Sequence, residues 1–205
     1  MLLVFTGNGK GKTTAALGQA LRSVGEGKRV LMVQFIKGPW KSGEDNVGII
    51  SKGNPSTHSA RSGSPAFRLV KMGKGFVGIL GDTLPIEEHQ KAAEEGLAFA
   101  KKEIESGNWD MVILDEINNA AHLGLVPKED VIALFEFIKR APASDSSSPA
   151  ESGTIHRAQR SIEHLILTGR DAPQEFIDAA DLVTEMRDVK HPYEQGVKAK
   201  RGLEY

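Results

Sequence analysis

The stretch that decides the fold is Leu2-Leu3-Val4-Phe5-Thr6-Gly7-Asn8-Gly9-Lys10-Gly11-Lys12-Thr13-Thr14. Leu2 to Phe5 is an apolar, β-prone run, the next six residues hold three glycines, and Thr13 opens a segment of helical period. Strand, glycine loop and helix in that order make a phosphate cradle. Glycines let successive backbone N–H groups turn inward, and the helix N-terminus adds partial positive charge. Lys12 reaches the outer oxygens, while the Thr13 hydroxyl is placed to ligate Mg²⁺. The bland reading, a glycine-rich turn with a solvated lysine, does not explain why all three features coincide. One detail departs from the common G-x-x-x-x-G-K-[ST] spacing. Counting back from Gly11, the first-glycine position is Thr6, and Gly7 comes one residue late.

Working outward, short aliphatic runs recur at 2–5, 30–36, 67–71, 111–115, 164–168 and 182–185, separated by longer segments of helical period. That alternation is the α/β pattern. Ile86, Gln90, Ala93, Leu97, Ala100 and Ile104 step by four and three along one stripe, with Pro85 at the start and Gly107 at the end. Similar stripes lie at Leu17, Leu21 and Val24 and at Val131, Leu134, Phe135 and Ile138. Helices of this kind cover a sheet whose strands are buried on both faces. The expected fold is a doubly wound, mostly parallel six-stranded sheet, similar to the P-loop NTPases.

A length of 205 residues fits a single domain, here a nucleotide-binding domain spanning 1–205. Two stretches break the alternation. Residues 51–66 hold five Ser, two Gly and two Pro, and residues 141–153 hold five Ser, two Pro and one Gly, so neither can bury a core. Both are expected to be mobile surface insertions; a docking loop using His58, Arg61 and Arg157 has no motif behind it.

With no cysteine, a disulfide scaffold, a thiolate metal site and a catalytic thiol are excluded. Lys and Arg total 26 against 27 Asp and Glu, which gives no broad field for nucleic acid or an anionic membrane. No apolar run nears the roughly 18 residues that span a bilayer, and no basic leader precedes Leu2-Leu3-Val4-Phe5. A cytoplasmic protein is expected.

Met111-Val112-Ile113-Leu114-Asp115-Glu116 supplies the other half of a triphosphate site, an apolar strand delivering two carboxylates at its C-terminal end. Asp115 is expected in the Mg²⁺ shell. Glu116 has three open roles: orienting a water, ligating the metal, or hydrogen-bonding the ribose. His122, His164 and His191 lack the paired spacing of a metal site and are assigned none, although His191 is placed to line the nucleotide pocket.

Beyond these motifs, five blocks in order resemble the P-loop type of ATP:corrinoid adenosyltransferase. They are Val4 to Gly18; Val33-Gln34-Phe35-Ile36-Lys37-Gly38 with Trp40 and Gly43-Glu44; Ile113 to Asn118; Leu167-Thr168-Gly169-Arg170 with Ala172-Pro173; and Asp181 to Arg187 with Lys190-His191-Pro192-Tyr193. The resemblance implies transfer of the 5′-deoxyadenosyl group of ATP to the Co(I) of a corrinoid, with triphosphate leaving, in adenosylcobalamin biosynthesis or salvage. It implies ATP and a corrinoid as substrates, Mg²⁺ or Mn²⁺ as cofactor, a reduced flavin or flavoprotein as electron donor, and a homodimer. It also implies nucleotide contacts from Gly7, Asn8, Gly9, Lys10, Gly11, Lys12, Thr13, Thr14, Trp40 and Arg170, metal contacts from Thr13, Asp115 and Glu116, and catalytic roles for Lys12, Glu116 and Phe76. The competing readings are a kinase or ATPase acting at the γ-phosphate, which Arg170 and Arg187 keep open, and a non-catalytic ATP-dependent corrinoid carrier.

One block departs from the resemblance. Similar chains place a Phe, then a Trp two residues later, after a Met-Gly-x-Gly segment, to exclude the lower axial ligand of cobalt. Here Met72-Gly73-Lys74-Gly75 is followed by Phe76, but Gly78 holds the Trp position. Longer members also carry an arm ahead of the first strand, so Trp40 and the C-terminal tail are the expected lid.

Overall fold

The computed structural model describes residues 1–38, 41–46, 66–79, 81–138 and 162–191, with 196, 198, 200 and 202. Trp40, Tyr193 and nearly all of the two Ser-rich stretches therefore lie outside the described residues. The six runs form strands β1 (Leu2–Thr6), β2 (Val30–Gln34), β3 (Phe67–Lys71), β4 (Met111–Asp115), β5 (His164–Thr168) and β6 (Leu182–Glu185). They pair in the order β3-β2-β4-β5-β1-β6, and every pairing is parallel. The sheet is thus wholly rather than mostly parallel.

Parallel strands bury both faces, and the two faces are covered unequally. Leu2, Val4, Leu31, Val33, Val112, Leu114, Leu165 and Leu167 meet α2 (Ile86–Glu105), α3 (Ile117–His122), α4 (Lys128–Ile132) and α5 (Gln174–Ala179). On the other face Phe5, Val30, Met32, Met111, Ile113 and Ile166 pack on α1 (Lys12–Gly25). Each such side chain fully buried contributes about 1.5–3 kcal/mol. β6 stands at the edge with all four residues exposed, so the expectation of burial on both faces fails there.

Three helical stripes shift in detail. On α1 the buried residues are Ala16, Ala20 and Val24, whereas Leu21 is exposed. Alanine lets the helix axis approach the sheet closely enough to seat its N-terminus beside β1. On α2, Ile86 is exposed and Gln90 reaches the Gly124 carbonyl, while His89, Ala92 and Gly96 join Ala93, Leu97, Ala100 and Ile104 in the buried stripe. A Cβ at Gly96 would meet the Met72 side chain at 3.1 Å. The stripe Val131, Leu134, Phe135 and Ile138 packs as read, but on α4, a following 3₁₀ turn at Ala133–Phe137 and a bridge from Ile138 to Ile162.

Charged pairs close the amino edge of the sheet. Arg29 meets Asp110 at 3.1 Å and Lys28 meets Glu163 at 2.8 Å. The opposite edge, where all six strands end, collects the phosphate loop, Asp115 and Thr168.

Candidate active site

The loop from Thr6 to Gly11 is shaped by what lies behind it. Gly9 N–H donates to the Met186 carbonyl at 2.6 Å, and Met186 N–H donates to the Thr6 carbonyl at 2.8 Å. A Cβ on Gly7 would lie 2.5 Å from Met186 O, and one on Gly9 would lie 2.6 Å from the Arg187 carbonyl carbon. Glycine at 7 and 9 is therefore required by the chain leaving β6. Gly11, at φ 111°, turns the loop into α1, whose first-turn N–H groups have no acceptor within the helix.

Lys12 bends back over this loop, its Nζ donating to Gly7 O and Gly9 O at 2.7 Å each. Burial first, and then the nearby Arg170 guanidinium, lower its pKa. The structure thus brings Arg170 into the field of the loop, where its own N–H is fixed by Asn119 Oδ1 at 2.7 Å. Asn8, Lys10 and Thr14 are on the exposed side.

Across from the loop, Asp115 is fully buried. Its Oδ1 accepts from Thr13 Oγ1 at 2.9 Å and Thr168 Oγ1 at 2.6 Å, and its Oδ2 accepts from Gln34 Nε2 at 3.0 Å. Lys37 Nζ stands 3.9 Å from Oδ2 and pairs with Glu44 at 2.7 Å. Burial pulls the Lys37 pKa down, but Asp115 and Glu44 outweigh it and the net shift is upward.

Glu116 takes a left-handed backbone, φ 66° and ψ 17°, which costs a non-glycine residue about 1–2 kcal/mol. Its N–H donates to Thr168 Oγ1 at 3.0 Å. Its Oε2 is buried with no hydrogen-bond partner among the described residues. Burial, and next the adjacent Asp115 charge, push its pKa up to about 7 from 4.5, against the opposing cations Lys37 and Lys12. A strained, buried carboxylate with an unused oxygen fits a hard cation, which takes oxygen donors such as Thr13 and Glu116. Among the described residues no group of three His, Cys, Asp or Glu forms a metal site by itself. His122 is exposed, and His164, at the start of β5, lies at the amino edge away from the loop.

Several residues that join the site carried no individual role in the sequence reading: Gln34, Lys37, Thr168, Asn119 and Met186. Gln34, Asp115 and Thr168 are the last residues of β2, β4 and β5, so strand-end position was the signal that would have found the first and third. Phe76 lies on the loop after β3 and is exposed.

A glycine loop, the helix it caps and a buried strand-end carboxylate bonded to the loop threonine define a P-loop nucleotide-binding protein. Residues 1–144 and 153–205 match the family described as ATP:corrinoid adenosyltransferase BtuR/CobO/CobP, and the chain belongs to that family. The chain is 35% identical over all of its 205 residues to the corrinoid adenosyltransferase of Escherichia coli (strain K12), spanning 85% of that protein. It is 34% identical to the corrinoid adenosyltransferase CobA of Salmonella typhimurium and 32% identical to that of a Sinorhizobium species, spanning 85% and 80% of those chains. As a member it is an enzyme, a transferase that moves the adenosyl group of ATP to a corrinoid. Family membership supports that reading over the γ-phosphate and carrier alternatives. No helix among the described residues is long and apolar enough to cross a membrane.

Proposed function

We propose that the whole chain acts as one nucleotide-binding domain that lays the triphosphate of ATP over Gly7 to Thr14 and exposes C5′ to a Co(I) corrinoid. The observation that carries this reading is the bond from Thr13 to Asp115, which ties loop to strand end beside the unpartnered Glu116 oxygen. Thr13 and Glu116 would hold Mg²⁺ or Mn²⁺, with Asp115 orienting Thr13. When bound, that cation supplies positive charge to the triphosphate. Lys12 exchanges its loop carbonyls for phosphate oxygens, and Arg170 adds charge from the turn that follows β5. The cobalt electron pair forms the Co–C5′ bond as the C5′–O bond breaks, and its electrons stay on the departing triphosphate. Donors aimed at that oxygen stabilise the transition state most. Holding cobalt and C5′ in line contributes up to about 7–11 kcal/mol more.

Phe76 serves the corrinoid side, and Trp40 serves the nucleotide as part of a lid. A reduced flavin or flavoprotein supplies the electron that makes Co(I), and the enzyme works as a homodimer in the cytoplasm, in adenosylcobalamin biosynthesis or salvage. The test is the phosphate product formed from ATP with Co(I) corrinoid present. Triphosphate in step with adenosylcorrinoid is expected. Orthophosphate would mark a γ-phosphate enzyme, and bound ATP without turnover would mark a carrier.

A further inference from the structure

The chain that follows β2 leaves the sheet beside the carboxylates at the end of β4. Gln34, the last residue of β2, is the register partner of Asp115, and Lys37 comes three residues later. Its ammonium stands between two acids. Glu44 Oε1 accepts from Nζ at 2.7 Å, while Asp115 Oδ2 lies 3.9 Å away, inside ion-pair range but beyond a hydrogen bond. The Lys37 backbone N–H also favours the ionised form of Glu116. One residue thus addresses both carboxylates at this strand end.

Glu44 has support of its own. It sits in the 3₁₀ turn Gly43–Asn46, where Asp45 accepts Ser42 N–H at 2.7 Å and Lys71 Nζ, from the end of β3, at 2.5 Å. The Glu44 side chain is 15% exposed and that of Lys37 is 30% exposed, so water screens the pair only in part. Because the turn is pinned through Asp45, Glu44 decides where Nζ stands.

Charge then says what the arrangement does. Asp115 and Glu116 attract a divalent cation and repel a triphosphate, and an ammonium a few ångströms from them opposes both effects. Lys12 is engaged with the Gly7 and Gly9 carbonyls, so it is Lys37 that faces the carboxylates directly. We propose that Lys37, stationed by Glu44, is a resident counter-charge of the Asp115–Glu116 pair that biases the site against free metal and toward triphosphate. Both are positioning residues, Lys37 acting through the carboxylate pair and Glu44 through Lys37. This role presupposes that the loop and the pair receive a triphosphate and a cation.

The experiment compares the full chain with Lys37→Met, Lys37→Arg, Glu44→Gln and the double variant Lys37→Met/Glu44→Gln. Mn²⁺ binding is followed by electron paramagnetic resonance without nucleotide, inorganic triphosphate binding by calorimetry in chelator, and folding by the melting temperature. All are run above about pH 8, so that Glu116, whose pKa is about 7, is ionised. Lys37→Met should bind Mn²⁺ about three- to tenfold more tightly and triphosphate about three- to tenfold more weakly, with Lys37→Arg close to wild type. Glu44→Gln should shift both affinities the opposite way, and its effect should shrink at least by about half in the Lys37→Met background. A general loosening of the site would weaken both ligands together. That result in a folded Lys37→Met, or unchanged affinities, would overturn the proposal, as would a Glu44→Gln effect undiminished in the double variant. If Mn²⁺ binds too weakly to follow, the triphosphate affinities decide alone. If Lys37→Met does not fold, Lys37→Gln is judged by the same criteria. Wild type that binds neither Mn²⁺ nor triphosphate would end the wider reading of the site as well, whereas wild type that binds them beside indifferent variants ends the counter-charge alone.

Discussion

Thr13 donates its hydroxyl to Asp115 across 102 residues of sequence, at 2.9 Å. The same Asp115 oxygen takes the Thr168 hydroxyl, and the other takes Gln34, so the aspartate is surrounded by donors from the ends of β2 and β5 and the start of α1. Both oxygens being engaged, Asp115 orients the threonine while Glu116 offers the unused oxygen.

Thr13→Val should therefore weaken metal binding, since it removes the hydroxyl that would hold the cation and that Asp115 orients, lowering activity by at least about 10- to 100-fold, with Thr13→Ser close to wild type. Asp115→Asn should regain part of its activity in excess Mg²⁺ or Mn²⁺. Metal titrations identical to the parent's for either variant would show that the Thr13–Asp115 bond does not support a metal site.

Lys12→Ala should lose on the order of 100-fold or more in kcat/KM, because the loop loses its mobile cation at the leaving phosphate. Its two carbonyl bonds also shape the loop, so ATP affinity should fall with turnover. Steady-state kinetics beside equilibrium ATP binding check both, and activity within a few-fold of wild type would contradict the assignment.

Glu116 makes metal-free stability depend on pH. Below about pH 4.5 the group is protonated in both states; between there and about 7 the unfolded chain ionises while the folded one keeps its proton. Stability should fall as pH rises through that window, by up to about 3 kcal/mol, and level off above it. Melting curves of wild type and Glu116→Gln without metal should diverge accordingly. Apparent Mg²⁺ affinity should climb as pH rises through about 7, because the proton must leave before the carboxylate can ligate.

Gly78 lies at φ 68°, and a Cβ there would meet no atom within 4 Å. Gly78→Trp should fit yet lower the melting temperature, since the left-handed backbone costs about 1–2 kcal/mol. Wild type should adenosylate pre-reduced substrate well but assist Co(II) reduction better with cobinamide than with cobalamin, and Phe76→Ala should widen that gap. A four-coordinate Co(II) signal equally strong for both corrinoids would refute the incomplete wedge.

The family match stops at 144 and resumes at 153. Removing residues 145–152 should leave kcat within a few-fold and the melting temperature nearly unchanged, because loop length enters closure entropy only logarithmically. A drop of several degrees would show that the segment packs against the domain.

The four inner strands were legible because a parallel strand buried on both faces is written as a nearly unbroken apolar run, whereas edge strands β3 and β6 are shorter on that signal. Faces of helices were less so. Ala16 and Ala20 face the sheet while Leu21 faces water, and an alanine gives no periodic signal that distinguishes close approach from indifference. The same blindness hid His89, which reads as polar but is buried against Asp82. Lys12, Thr13, Asp115 and Glu116 could be read as motifs since their chemistry is local. Thr168 and Lys37 matter only because β4 lies between β2 and β5, an order that no local pattern records.

That order also sets a timetable for synthesis. Of the six strands β1 leaves the ribosome ahead of the other five, yet it finds its partners only at β5 and β6, Leu2 beside Leu165 and Leu3 beside Leu182. A nascent chain that ends before Leu182 has every residue of the phosphate loop but not the Met186 and Arg187 backbone against which Gly7 and Gly9 close. Nucleotide recognition accordingly waits for the last of these six strands, and loss of β6 silences a loop made long before it.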